Sequence, residues 1–172
     1  MSKSLAIGAV AALCCVAPAQ ATCTEISSQV VALTGCVDSQ WQRIEGKSGG
    51  QEFVYQTPDG NFGLMVITEK DSFDPVKFRD AIVGNAVAGE GGDKKSVVVN
   101  SERVANIDGK PFSVLEYTTN NGSPILFQNF YYSKPGFGSV QILSYSLPAD
   151  ATAAAFNAGV FAATVKIGNG LP

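Results

Sequence analysis

The sequence predicts an α+β domain: a mostly antiparallel sheet with two helices packed on it. Two observations carry this. Four strand-like runs follow one another across short turn signals, and two helical segments lie apart from each other along the chain. Parallel neighbours would need long crossover connections, so strands joined by short turns form an antiparallel meander. Helices kept apart from such a sheet define the α+β class.

The 172-residue chain opens with Lys3, an apolar run from Leu5 to Ala17, and Ala19-Gln20-Ala21. A positive start, a short apolar core and a small-x-small site are the marks of a secretory signal. Residues 1–21 are therefore expected to be removed, the apolar run being too short to span a membrane, which takes roughly 20 apolar residues. No cysteine has the flanks of a lipid-attachment box, so soluble export to the periplasm or beyond is expected. The 151 residues that remain of 172 suit one domain.

Removal of the signal takes Cys14 and Cys15 and leaves Cys23 and Cys36. An even pair in an exported protein commonly closes a disulfide, with intermolecular pairing or free thiols as the alternatives. A straight helix from Cys23 to Cys36 would part their Cα atoms by nearly ~20 Å, whereas a disulfide tolerates about 4.4–6.8 Å. Residues 22–40 are thus expected to double back as a hairpin. The turn is placed near Ser27-Ser28-Gln29 and Val30–Leu33 is read as extended. Residues 41–172 form the single α+β domain.

Within that domain, Pro58-Asp59-Gly60-Asn61 separates strands at Glu52–Thr57 and Phe62–Thr68. Asp74 followed by Pro75 starts a helix, because the acid caps free amides and proline suits the first turn. Phe78, Ala81, Ile82, Val83 and Ala86 recur at helical spacing until Gly89, Gly91 and Gly92 end the element. Asp108-Gly109 is a two-residue hairpin signal between Val97–Ile107 and Phe112–Thr119. Asn120-Asn121-Gly122-Ser123 and Lys134-Pro135-Gly136 then bound strands at Ile125–Tyr132 and Phe137–Ser146. Asp150 is read as the cap of a second helix reaching Thr164. Phe156, Val160 and Thr164 fall on one of its faces, which is expected to pack on the sheet.

The texture of residues 41–167 resembles the PsbP-like superfamily. The matching stretches are Phe53-Val54-Tyr55 through Gly63–Ile67, Phe73–Gly84, Val104–Tyr117, and Ser139–Ser146 followed by Ala153–Lys166. The resemblance implies a PsbP-like α/β/α sandwich. It rests on the order and texture of elements and transfers no site residue, since activities on that fold differ widely. The superfamily includes a photosynthetic extrinsic subunit, a nuclear Ran-binding protein and bacterial exported proteins. An export signal removes the nuclear role.

Composition narrows the chemistry. The chain has no histidine, which excludes Ser-His-Asp and Cys-His catalysis and His-ligated metals. No cofactor and no metal are expected: Glu69, Asp71 and Asp74 cluster without an EF-hand ladder. The glycine-rich loop at 89–96 follows a helix instead of opening one, so it does not make a phosphate loop. Without Lys3, eleven Lys and Arg face fifteen Asp and Glu, a net charge of −4. Nucleic acid is excluded as a partner on that balance. What is expected is a monomeric binding or accessory protein of the cell envelope, recognising a protein or an apolar small molecule.

Two features qualify as candidate sites. Phe127, Phe130, Tyr131, Tyr132, Phe137 and Tyr145 gather on adjacent strands, either as sheet core or as the lining of a groove, with Tyr131, Tyr132 and Phe137 as the candidate contacts. Glu116, on the face of Val114, has three open roles: a functional acid, a partner of Arg103 or Lys110, or an exposed strand acid. As a functional acid it would centre a carboxylate-dependent hydrolase, the alternative to a binding protein.

Overall fold

The computed structural model describes residues 22–45, 50–120 and 122–169. Residues 1–21, read from sequence as a signal, and Asn121 of the turn at 120–123 lie outside them. Strands β1 (Cys23–Ser27) and β2 (Leu33–Asp38) form the expected N-terminal hairpin, with Glu25 opposite Cys36. A disulfide joins Cys23 to Cys36 at a Cα separation of 5.6 Å. The turn is longer than the sequence suggested: Val30–Ala32 belong to it, and the strand begins only at Leu33. The Ser28 hydroxyl accepts from the amides of Val30 (3.0 Å) and Val31 (3.1 Å), which satisfies those donors inside a loop.

The main sheet is built from β3 (Gln42–Arg43), β4 (Gln51–Gln56), β5 (Phe62–Glu69), β6 (Val97–Ile107), β7 (Lys110–Thr119), β8 (Ile125–Lys134) and β9 (Gly138–Ser146). Its order is β3-β4-β5-β9-β8-β7-β6, and every pair is antiparallel. The last strand, β10 (Lys166–Ile167), joins β2 in a small three-stranded sheet. At the β6–β7 turn, Asp108 (φ 50°) and Gly109 (φ 75°) both take the left-handed conformation that a tight hairpin turn demands. The side chain of Asp108 then accepts from the Ile167 amide (2.9 Å) and from Lys166 Nζ (3.2 Å), tying β10 to that hairpin.

Helix α1 (Pro75–Gly89) starts where Asp74 accepts from the amides of Val76 and Lys77. It buries Phe78 and Ile82 against Leu115, Tyr117 and Tyr131, while Ala81 faces solvent. Helix α2 (Ala151–Thr164) lies on the opposite face of the sheet, together with the hairpin. Its inner face is not the one expected. Ala154, Ala158, Phe161 and Ala162 are buried, whereas Phe156 is 70% and Val160 52% exposed.

Close approach explains that choice. Small side chains let the helix backbone settle onto the sheet, and Phe161 lies where residue 35 has no side chain. A Cβ on Gly35 would come within 3.2 Å of the Phe161 ring. Of the expected face only Thr164 is used: its hydroxyl accepts from the Cys36 amide at 2.9 Å. Asp150 does not cap α2 with its side chain, because the chain enters through a 3₁₀ turn at Pro148–Asp150.

The two faces are unequal. The main core, on the α2 side, gathers Leu64, Val66, Phe112, Val114, Phe130, Val140 and Ile142 with Val31, Leu33 and Val37 of the hairpin region. On the α1 side the buried cluster is five residues: Phe78, Ile82, Leu115, Tyr117 and Tyr131.

Candidate functional site

Strand register places the α1-side residues in rows. One row runs from Gly63 through Tyr145 and Phe127 to Tyr117. Tyr117 and Phe127 stack at 5.0 Å between centroids and 11° between planes, and Tyr145 follows Phe127 at 6.2 Å. The Tyr145 ring lies over Gly63, in the space that a Cβ there would fill. The next row carries Met65, Leu143, Asn129 and Leu115, and a third carries Ile67, Gln141 and Tyr131.

Helix α1 covers only the β6–β8 side of these rows. Met65, Ile67, Leu143 and Tyr145 on β5 and β9, with Phe127 on β8, remain half-buried beside it. Between this shelf and the C-terminal half of α1 lies a cavity of about 310 Å³. Ile82, Asn85, Ala86, Gly89 and Glu90 form the helix wall. The sheet contributes Tyr117, Phe127, Leu143 and Ile67 as apolar lining, and Asn129, Gln141, Thr119 and Glu69 as polar lining.

Asn129 is the informative residue. It is 1% exposed, and its Nδ2 donates to Gln141 Oε1 at 3.1 Å. Its Oδ1 is buried with no hydrogen-bond partner. A buried acceptor left unmet costs about 1–3 kcal/mol, so it marks a place where a further donor would be gained. Nearby, burial pushes the Tyr117 phenol up to about 12 and raises that of Tyr145 too, keeping both rings neutral at ordinary pH. At the rim, Ser139 Oγ donates to Glu69 Oε2 at 3.5 Å. Among the described residues no group of three or more His, Cys, Asp and Glu is placed to hold a metal ion.

The residues singled out from sequence do not form one surface. Tyr131 is buried under α1, edge-on to Phe78 at 5.3 Å. Tyr132 points to the other face, stacked on Phe112 at 5.2 Å and 5.6 Å from the buried Phe137. Tyr132 and Phe137 border a separate cleft of about 220 Å³ that also involves Lys110 and Lys134. Of the other aromatics named, Phe130 is core, while Phe127 and Tyr145 line or flank the α1 groove.

Glu116 is half-buried on the α2 side, next to Gln128, Ser144 and Ser146 around a cavity of about 90 Å³. No second carboxylate lines that cavity. Arg103 does not face it across the hairpin. The two-residue Asp108-Gly109 turn sets a register in which Ser101 opposes Glu116 and Arg103 opposes Val114, and a bulge at Asn100 shifts the pairing only beyond Ser101.

Sequence reasoning passed over Asn129, Gln141 and Tyr117. One signal existed: Asn129 shares its strand face with Phe127 and Tyr131, so an amide stands at a position where alternation asks for an apolar residue.

No family's sequence profile matches the chain, and no curated protein matches it. Solved structures do. The chain is similar to cyanobacterial PsbP (CyanoP) from Synechocystis sp., with a TM-score of 0.61 and 13% identity over 90% of this chain and 97% of that one. It is also similar to LpqN of Mycobacterium tuberculosis, a protein involved in cell envelope biogenesis. There the TM-score is 0.56 and the identity 14%, covering 88% of this chain and 91% of the other. At these identities the likeness speaks for the fold alone. The seven-stranded antiparallel sheet with a helix on each face is the PsbP-like fold.

Proposed function

We propose that this protein is an exported binding module of the cell envelope that takes up a small, largely apolar molecule between α1 and the sheet. The observation that carries this reading is the cavity of about 310 Å³, lined by the stacked Tyr117–Phe127 pair and by Asn129, whose buried Oδ1 has no partner. Ligand sites are typically concave and mostly apolar, with a few placed polar groups that orient the guest. This groove has that make-up. Export is supported by the Cys23–Cys36 disulfide, since such bonds persist in oxidising compartments. Among the described residues no helix is long and apolar enough to cross a membrane. The role of LpqN in envelope biogenesis is compatible with the same setting.

The alternative of a hydrolase centred on Glu116 finds no support in the geometry. Carboxylate hydrolysis of glycosides uses a pair of acids flanking the scissile bond, and the cavity at Glu116 offers one.

The test is uptake of a neutral fluorescent dye such as Nile red. We expect the wild-type protein to bind it, and Leu143→Lys, which puts a charged chain into the half-buried wall, to lose binding with an unchanged thermal midpoint. Equal uptake by both proteins, or loss only on Tyr132→Ala in the other cleft, would overturn the reading.

A further inference from the structure

We infer that the α1 groove is selective for an organic cation: a small amine in its protonated, ammonium form carrying an apolar body. This rests on the groove being the ligand site and goes on to its chemical preference. Four independent features of the wall point the same way.

The first is formal charge. Glu69 on β5 and Glu90 just past α1 both border the cavity, and no lysine or arginine does. The second is the helix end. Ala86 and Gly89 bring the last turn of α1 to the wall, and that turn carries no basic residue. A helix C-terminus acts as roughly half a negative charge and favours a cation beside it. The third is the aromatic wall. Stacked Tyr117 and Phe127 offer a ring surface, and the faces of aromatic rings attract cations. The fourth is Asn129, a lining residue whose buried Oδ1 has no partner. An ammonium N–H is a donor, and a charge-assisted hydrogen bond is the stronger kind.

An anion meets the opposite of each feature. Its charge would face two carboxylates and a helix C-terminus, with an acceptor instead of a donor at Asn129. A neutral guest is accepted by the apolar wall but gains nothing from the field.

The experiment titrates the full protein at neutral pH with three probes of similar body: benzylammonium, neutral ethylbenzene and benzenesulfonate. Binding is followed by displacement of Nile red and by NMR shifts of Tyr117 and Asn129. We expect the cation to bind about tenfold or more tighter than the neutral isostere, and the anion to bind weakest. Glu69→Gln combined with Glu90→Gln should remove most of the cation's advantage and leave the neutral probe within about twofold. Glu25→Gln with Glu45→Gln, the same change in net charge away from the groove, should leave the preference intact. Equal affinity for cation and neutral isostere would overturn the cation preference and leave the groove reading standing. Loss of preference in both double variants would also overturn it, because the field would then be that of the whole molecule. If none of the three probes displaces bound Nile red, the cation preference falls and the groove reading stands; if Nile red itself is not taken up, both readings fall.

Discussion

Replacing Asn129 by leucine should make the protein more stable and worse at binding, and the size of both effects follows from its surroundings. In the native protein Asn129 Oδ1 is buried without a partner, while Nδ2 donates to Gln141. Relieving the unmet acceptor returns about 1–3 kcal/mol, and losing the amide bond removes about 0.5–1.5 kcal/mol. Gln141 is half-buried and can turn its freed oxygen toward the groove, so it adds little further cost. Leucine is larger, but the cavity of about 310 Å³ beside it takes the extra volume without displacing the core.

The net expectation for Asn129→Leu is a gain of about 1 kcal/mol, which for a domain of this size raises the midpoint by about 2–4 °C. Affinity for a donor-bearing ligand should fall about tenfold or more, since position 129 then offers no acceptor. Urea and thermal melts of the two proteins, with and without ligand, measure both quantities. A loss of stability of about 2 kcal/mol or more would refute the reasoning, as it would show the amide to be a structural bond and not a poised one. Unchanged affinity would refute it from the other side.

Two further outcomes concern the frame. The Glu52 carboxylate accepts from Ser28 Oγ (2.6 Å), the Gln29 amide (2.6 Å) and Thr68 Oγ1 (2.5 Å), pinning the hairpin turn to β4 and β5. Glu52→Ala should cost about 2 kcal/mol, on the scale of hydrogen bonds to charged groups, and hydrogen exchange should quicken first at residues 28–33. The Tyr117 phenol, raised by burial from 10.0 to about 12, holds its proton in the folded state after the unfolded chain has released it. Its contribution is therefore whole below pH 10 and is lost as pH rises from 10 to 12, a fall of about 2–3 kcal/mol. Urea midpoints across that range should drop less steeply in Tyr117→Phe; an unchanged slope would mean the ring titrates normally.

The parts of the fold legible in the sequence are those set by local chemistry. Asp108-Gly109 fixed a hairpin because both residues tolerate positive φ, and Asp74-Pro75 fixed a helix start because one caps and the other fits the first turn. The parts that escaped are decided between elements. Helix α2 is alanine-rich and apolar nearly all round, so its periodicity gave no ground for choosing a face. The choice fell to Gly35, whose missing side chain admits Phe161. The inserted Asn100 shifts β6 against β7 beyond Ser101, and no turn signal marks such a bulge. For the site, the aromatic run 127–132 was visible, but which rings are covered depends on where α1 lands. It landed on Tyr131 and left Phe127 and Tyr145 half open.

Why α1 leaves an opening is a matter of widths. A helix with its side chains is about 10–12 Å across, and strands lie about 4.8 Å apart, so one helix shields two or three strands of a seven-stranded sheet. On the other face the disulfide-closed hairpin lies beside α2 and closes what the helix alone would leave bare. No such supplement exists on the α1 side among the described residues. Successive residues of β9 consequently live in different worlds: Ile142 is wholly buried beneath α2, while Leu143 lines the groove. The same alternation puts Val66 in the core and Ile67 on the shelf. Stability and binding are thereby assigned to opposite faces of the same strands. Residues of the groove can change its guest without touching the packing that holds the sheet together, which is the condition under which one fold comes to serve many ligands.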